Sequence, residues 1–363
     1  MKAASAVRPW PPDDRLLHVD VEAGALRDAH VRDLPSLLAP GDVLIVNDAA
    51  TLPASLHTSD GAIELRLLEP PSADGEQAVR GLLFGAGDFR TPTELRAAPP
   101  VVRVGEELTF GGEGGFETRP YEEGEREDRD ALHARVVAVE PDAPRMVSVR
   151  FDRTGAALYQ ALYRHGRPVQ YAYLPEPIAL AAQQSRFAAR PWAVEMPSAG
   201  RPLTYGLLRA LRERGVELHA LTHAAGLSST GSDALDARLP LPERYELPES
   251  TVAAIARARA SGQRVVAVGT TVVRALEASA AEHGEPRAGA GEAKLVLGPG
   301  FVPRVVTGLF TGMHPEGTSH FALMTAFAPR ELLERAMQHA EREGYLEHEL
   351  GDSCLVLPKI GGR

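Results

Sequence analysis

One cysteine, Cys354, stands in 363 residues, which excludes an internal disulfide and any cysteine-built metal cluster. No stretch approaches the roughly 18 consecutive apolar residues that cross a bilayer, so no membrane segment is expected. The opening "MKAASAVRPWPPDDRLLHVD" has one lysine and no apolar core ahead of its prolines and aspartates, which is not the build of a signal peptide. A cytoplasmic protein is the expectation. An excess of positive charge is missing too. Lys and Arg number 39 against 49 Asp and Glu, a formal net charge of −10, the wrong sign for gripping a phosphate backbone over a wide face. A local stripe can still do so, and the richest spans 186–214, with Arg186, Arg190, Arg201, Arg209, Arg212 and Arg214. The solvated face of a helix is the other reading of that stripe. Neither a Walker loop nor a GxGxxG turn opening a helix occurs, and the serines beside glycines do not form a strand–elbow–helix nucleophile.

What is present is an α/β texture interrupted by a β-rich one. "RLLHVD" reads as a strand, "DLPSLLAPGD" as a short helix, and "VLIVND" as a strand buried on both faces. From Ala62 to Asp152, short alternating runs ("AIELRLLEP", "QAVRGLLF", "VVRVGEELTF", "LHARVVAVE", "RMVSVRFD") predict a compact all-β unit. The polar loop "GGEGGFETRPYEEGEREDRD" inside it suggests no chemistry. "LTYGLLRALRERG" and "PESTVAAIARARASG" then read as helices, each closed by glycine. "VELHALTHA", "VVAV", "AKLVLGPGF", "RVVTGLF" and "CLVLP" read as strands, with a last helix over about 329–343. The expected fold is a large, barrel-like α/β domain of residues 1–57 and 151–363, interrupted by a small β-barrel at 58–150.

Five polar or Gly-rich turns end α/β strands: "VNDAAT", "MPSAGRPLT", "THAAGLSSTG", "VGTT" and "FTGMHPEGTSH". Parallel α/β sheets place ligand sites at such strand ends. In "VVAVGTTVVRALEASA", Thr270 or Thr271 stands where a helix N-cap is expected. The same turn offers unpaired amides to an anion, and both readings stay open. Arg274, Glu277 and Ala278 fall on the outer side of that helix by its period. His219 and His223 share a strand, where four residues span roughly 13 Å, too far to share one metal ion.

"VGTTVVRALE" fits the Val-Gly-Thr-Thr-Val-Val-Arg-x-Leu-Glu run of the S-adenosylmethionine:tRNA ribosyltransferase-isomerases of queuosine biosynthesis, and the chain resembles that family over nearly its whole length. "LAPGDVLIVND", "PSAG", "ERYELPE", "GPGF" and "LGDSCLVL" resemble further family motifs in the same order. There are departures. The family's Asn-Asp-Thr-Arg ends here in Ala49-Ala50, and its Leu-His-Phe-Thr is replaced by Arg201-Pro202-Leu203-Thr204. Its Met-His becomes Pro240-Leu241, although Glu243 remains. Its Thr-Asn-Phe-His-Leu-Pro keeps only Thr311 and His314, and its basic loop becomes Leu83 to Asp88. The lost residues are polar or charged, a class that packing drift would not single out.

The resemblance implies an enzyme that transfers and isomerises the ribosyl part of S-adenosylmethionine onto a 7-aminomethyl-7-deazaguanine base in tRNA, releasing adenine and methionine. S-adenosylmethionine is then a co-substrate, no metal is needed, and a monomer is expected. A histidine suits the proton transfers beside the sulfonium, and His314 is the surviving one, a hydrogen-bonded turn residue being the alternative. Asp48 is the second catalytic candidate. Asn47, Ser198, Gly269, Thr270, Thr271 and Arg274 are expected at the co-substrate, the Gly-Thr-Thr turn holding its carboxylate. Arg274 is expected to pair an acid, with a surface pair to Glu277 as the alternative. The acidic charge and missing basic loop argue against tRNA, so a paralogue acting on a small molecule is the rival enzyme, and a binding module without turnover is the third reading.

Overall fold

The computed structural model describes residues 1–8, 13–72, 77–111 and 131–358. From position 112 onward, the expected polar loop lies outside them. The strand Val43–Asn47 is buried along its whole length, and its side chains alternate between two cores. Val43 and Ile45 belong with Val272, Leu276 and Leu333, while Leu44 and Val46 belong with Leu207 and Leu211. A strand covered on both faces needs such a continuous apolar run.

Around it runs a nine-stranded mixed sheet in the order Gly289–Ala293, Glu243–Leu247, Glu217–His223, Val43–Asn47, Val265–Val268, Gly308–Gly312, Ser353–Leu357, Arg15–Asp20 and Ala25–His30. Its four central neighbours, from Glu217–His223 to Gly308–Gly312, are all parallel. The helices Glu249–Ala260, Thr270–His283 and Arg330–Arg342 contribute to the core on one face. Leu34–Leu37 and Tyr205–Glu213 cover the other.

Six antiparallel strands form a second sheet: Ser55–His57, Glu64–Leu67, Val79–Phe84, Ala143–Phe151, Leu132–Glu140 and Glu107–Phe110. A bridge between Thr58 and Phe110 joins its two edge strands, so the sheet is nearly a closed barrel and leaves little free edge. Leu56, Leu65, Leu83 and Phe110 fill it. The helix Gly155–His165, which the sequence reading did not single out, closes it with Leu158 and Leu162.

Two expectations are corrected. The strand assigned to "AKLVLGPGF" lies earlier, at Gly289–Ala293. Gly291 is required there because a Cβ on it would sit 2.3 Å from the Tyr245 hydroxyl. The helix Thr270–His283 has no outer polar side either: Arg274, Glu277 and Ala278 are all buried. Among the described residues no helix is long and apolar enough to cross a membrane.

Candidate functional site

Four of the five expected turns follow the C-terminal ends of the four central parallel strands, and therefore share one edge of the sheet. The fifth, opened by the 3-10 turn Ser198–Gly200, packs beside them. A Cβ on Gly269 would meet the Ala199 Cβ at 3.3 Å. Gly269 holds φ at 90°, a conformation that favours glycine, and its N–H donates to the Phe310 carbonyl at 2.7 Å. Gly269 is itself the N-cap of the Thr270–His283 helix, and no side chain caps that end. The N-cap expected at Thr270 or Thr271 is thus corrected. Both threonines are first-turn residues, beside amides that a helix leaves unpaired.

Asn47 ties these turns together. Its Nδ2 donates to the His223 carbonyl at 3.0 Å and to Thr271 Oγ1 at 3.3 Å, and its Oδ1 accepts from the amides of Ala49 and His223. Both amide hydrogens and both lone pairs are engaged, so Asn47 positions the turn rather than offering it a free group. Asp48 accepts from Thr222 Oγ1 at 2.6 Å. Burial raises its pKa, opposed by the Thr222 hydrogen bond and the charge of Arg190.

Arg274 lies one turn further along the helix, near enough to His223 and His320 of the strand-end turns for its charge to lower both their pKa values. Its guanidinium donates to the carbonyls of Leu241, Ala293 and Leu295 and pairs with Glu243. Glu277 accepts the amides of Arg304, Val305 and Val306 instead, so the alternative surface pair between the two does not form. Glu243 also accepts the Gly226 amide and lies 3.5 Å from His223 Nε2. His223 is fully buried, and burial, reinforced by Arg274, holds its pKa well below the ordinary value.

His314 follows the Gly308–Gly312 strand. Its Nε2 is 2.8 Å from Thr311 Oγ1, and its ring stacks on His320 with centroids 4.7 Å apart and planes 15° apart. Burial, then the neighbouring His320 and His348, hold His314 well below its ordinary pKa, so the ring is neutral and able to accept a proton near pH 7. His320 was not singled out from the sequence, although it falls only six positions after His314. The expected basic stripe divides: Arg209, Arg212 and Arg214 stay exposed on the Tyr205–Glu213 helix and at its end, while two others are engaged. Arg201 is 8% exposed and bonded to Asp14 at 2.8 Å, and Arg190 pairs with Glu246. Among the described residues, no three of His, Cys, Asp and Glu gather as metal ligands.

A three-layered α/β protein with a near-closed barrel and polar turns gathered at its parallel strand ends is the class these features define. Residues 2–356 match the family model described as queuosine biosynthesis protein. The S-adenosylmethionine:tRNA ribosyltransferase-isomerase of Thermus thermophilus is 35% identical over 359 residues, covering 96% of this chain and 94% of that one. The protein of the same name from Gloeobacter violaceus is 34% identical over 371 residues, covering 98% and 93%. The crystal structure of S-adenosylmethionine tRNA ribosyltransferase from Thermotoga maritima shares the fold, with a TM-score of 0.51 at 22% identity over 98% of this chain and 96% of that one. The chain belongs to the queuosine biosynthesis protein family and is an enzyme of the transferase-isomerase class.

Proposed function

We propose that the chain is an S-adenosylmethionine-dependent ribosyltransferase-isomerase that modifies a 7-deazaguanine base of tRNA in the cytoplasm and releases adenine and methionine. The observation that carries this reading is the gathering of Asn47, Ser198, Gly269, Thr270, Thr271 and His314 at one sheet edge, in a chain that matches the family from end to end. The uncapped first turn of the Thr270–His283 helix suits the methionine carboxylate, because its amides and the positive helix end both favour an anion. Thr271 Oγ1 accepts from Asn47, which leaves its hydroxyl hydrogen free to donate onward. The sulfonium acidifies the adjoining ribosyl carbon, and His314, kept neutral, accepts that proton. Asp48, with its pKa raised, is the second proton carrier. Arg274 fixes Glu243, which holds the Gly226 amide of one of these turns.

The engagement of Arg201 by Asp14 and of Arg190 by Glu246 favours one rival, transfer to a small-molecule acceptor. Incubation of the protein with S-adenosylmethionine, with and without unmodified tRNA carrying the deazaguanine base, separates the two by mass spectrometry. Adenine and methionine released only with tRNA support the first reading. Release that ignores tRNA supports the rival, and no binding of S-adenosylmethionine overturns both.

A further inference from the structure

Between the segment 169–183 and the loop around Glu349 lies a cavity with about 20 Å³ of free interior, above the roughly 10–15 Å³ that one water-sized group requires. Three polar atoms in its wall have no hydrogen-bond partner: Tyr173 Oη, Gln183 Nε2 and Glu349 Oε2. Gln183 is only 6% exposed. Buried polar groups are nearly always satisfied, so three such atoms around one small space mark a missing partner.

The three differ in what they need. The Gln183 amide donates, the Tyr173 phenol donates or accepts, and Glu349, its pKa pushed up to about 7 by burial, accepts when ionised and can donate when protonated. An anion would be repelled by Glu349 in its ionised form, and a bare cation would meet the amide hydrogens. A hydroxyl both donates and accepts, and so satisfies the set. Leu174, Ile178 and Met196 supply an apolar wall of the kind that the C–H edge of a sugar ring prefers. The Tyr173 ring stacks on His348 at 4.2 Å, which fixes the phenol. The cavity adjoins the strand-end turns: Met196 precedes Ser198 by two residues, and Glu195 in its wall accepts the Ser228 amide at 2.9 Å.

We propose that this cavity is a sugar-hydroxyl subsite, in which Gln183, Glu349 and Tyr173 recognise one hydroxyl of a ribosyl group, its 2′-hydroxyl. The space admits that hydroxyl and not a whole ring. The proposal rests on the ribosyl-transfer reading for its substrate, and its test separates the two. Binding to the full chain is measured for S-adenosylmethionine and its 2′-deoxy analogue, and for methyl β-ribofuranoside and its 2-deoxy counterpart.

The wild type prefers the hydroxylated member of each pair by about tenfold or more. Gln183→Leu and Glu349→Gln bring the ratio near one while melting like the wild type. The wild-type comparison decides the matter even where a variant does not fold. Equal affinity for hydroxylated and deoxy ligands, or a preference unchanged in both variants, overturns the subsite and leaves the cavity to an ordered water. If S-adenosylmethionine does not bind but the riboside is discriminated through Gln183 and Glu349, the ribosyl-transfer reading falls and the subsite stands.

Discussion

Asn47 and Thr271, 224 positions apart in the chain, are joined by a 3.3 Å hydrogen bond from Asn47 Nδ2 to Thr271 Oγ1. The bond couples the end of one central strand to the first helical turn after its neighbour. Asn47 also grips both the amide and the carbonyl of His223 on the other side. Three of the four strand-end turns are therefore set by one side chain, and the geometry of any ligand held there depends on it.

Thr271→Val tests whether that turn meets a ligand. Valine nearly preserves the shape and removes the acceptor of the Asn47 bond, a loss of about 0.5–1.5 kcal/mol in stability. Affinity for S-adenosylmethionine is expected to weaken at least about tenfold, because a hydroxyl bond to a charged group is worth roughly 1.5–3 kcal/mol. Calorimetry and thermal melting on the one variant give both numbers. A fall in stability with unchanged affinity would make Thr271 a structural acceptor only.

Two arginines of the basic stripe, Arg201 and Arg190, should behave differently. Arg201→Met removes one partner from buried Asp14, which Arg8 still contacts at 3.1 Å; the expected cost is about 3 kcal/mol, at the low end for a broken buried pair. Arg190→Ala breaks a solvent-exposed pair with Glu246 and should cost about 1 kcal/mol or less. Urea denaturation measures both. The salt dependence of tRNA binding should be unchanged in Arg201→Met, and a shallower slope would place Arg201 on the RNA after all.

On the outer face of the barrel sheet, Glu64 accepts from Arg66 Nε at 2.7 Å, from Arg96 at 2.5 Å and from Ser55 at 2.7 Å. Burial alone would raise its pKa, but Arg66, with help from His57 and Arg96, outweighs burial and holds it at about 2. The folded value lies below the ordinary 4.5, so the carboxylate stabilises the fold above pH 4.5, and that contribution is lost as pH falls toward 2. Its size is about 3 kcal/mol. Glu64→Gln should be less stable than wild type at pH 7, and the gap should close between pH 4.5 and 2. A gap that persists at pH 2.5 in urea titrations would show that the pair contributes through packing alone.

The strands of the central sheet were legible because burial on both faces demands runs such as Val43 to Val46, and the turns because Gly269 cannot readily be another residue at its φ. The roles of Arg274 and Glu277 were not. Polar residues on a helix period read as a solvent face, and nothing local reveals partners 19 to 33 residues away, at Leu241 and Ala293 for Arg274 and at Arg304–Val306 for Glu277. Arg201 failed in the same way, since its partner Asp14 is 187 positions distant. The Gly289–Ala293 strand was hidden for a different reason. The Tyr245 ring occupies the space where a side chain on Gly291 would be, so no apolar alternation can develop there. The cavity beside Glu349 joins two distant segments and has no sequence signature.

His314 and His320, stacked with centroids 4.7 Å apart, cannot both be protonated at low cost, because two like charges at that separation repel. Burial, then His320 and His348, lower the pKa of His314, and His320 is itself lowered by burial and by Arg274. A base of lowered pKa stays unprotonated through neutral pH. The acid limb of kcat/KM for adenine release should therefore lie below pH 6.5, the ordinary histidine value. His320→Phe keeps the stacked ring and removes the competing charge, so the limb should move upward toward 6.5 with little change at its plateau. His314→Phe should abolish release while S-adenosylmethionine still binds. Asp48→Asn is the comparison, since Asp48 is the other group able to take the proton. An acid limb unmoved in His320→Phe and retained turnover in His314→Phe would together transfer the role of base from the histidine pair to Asp48.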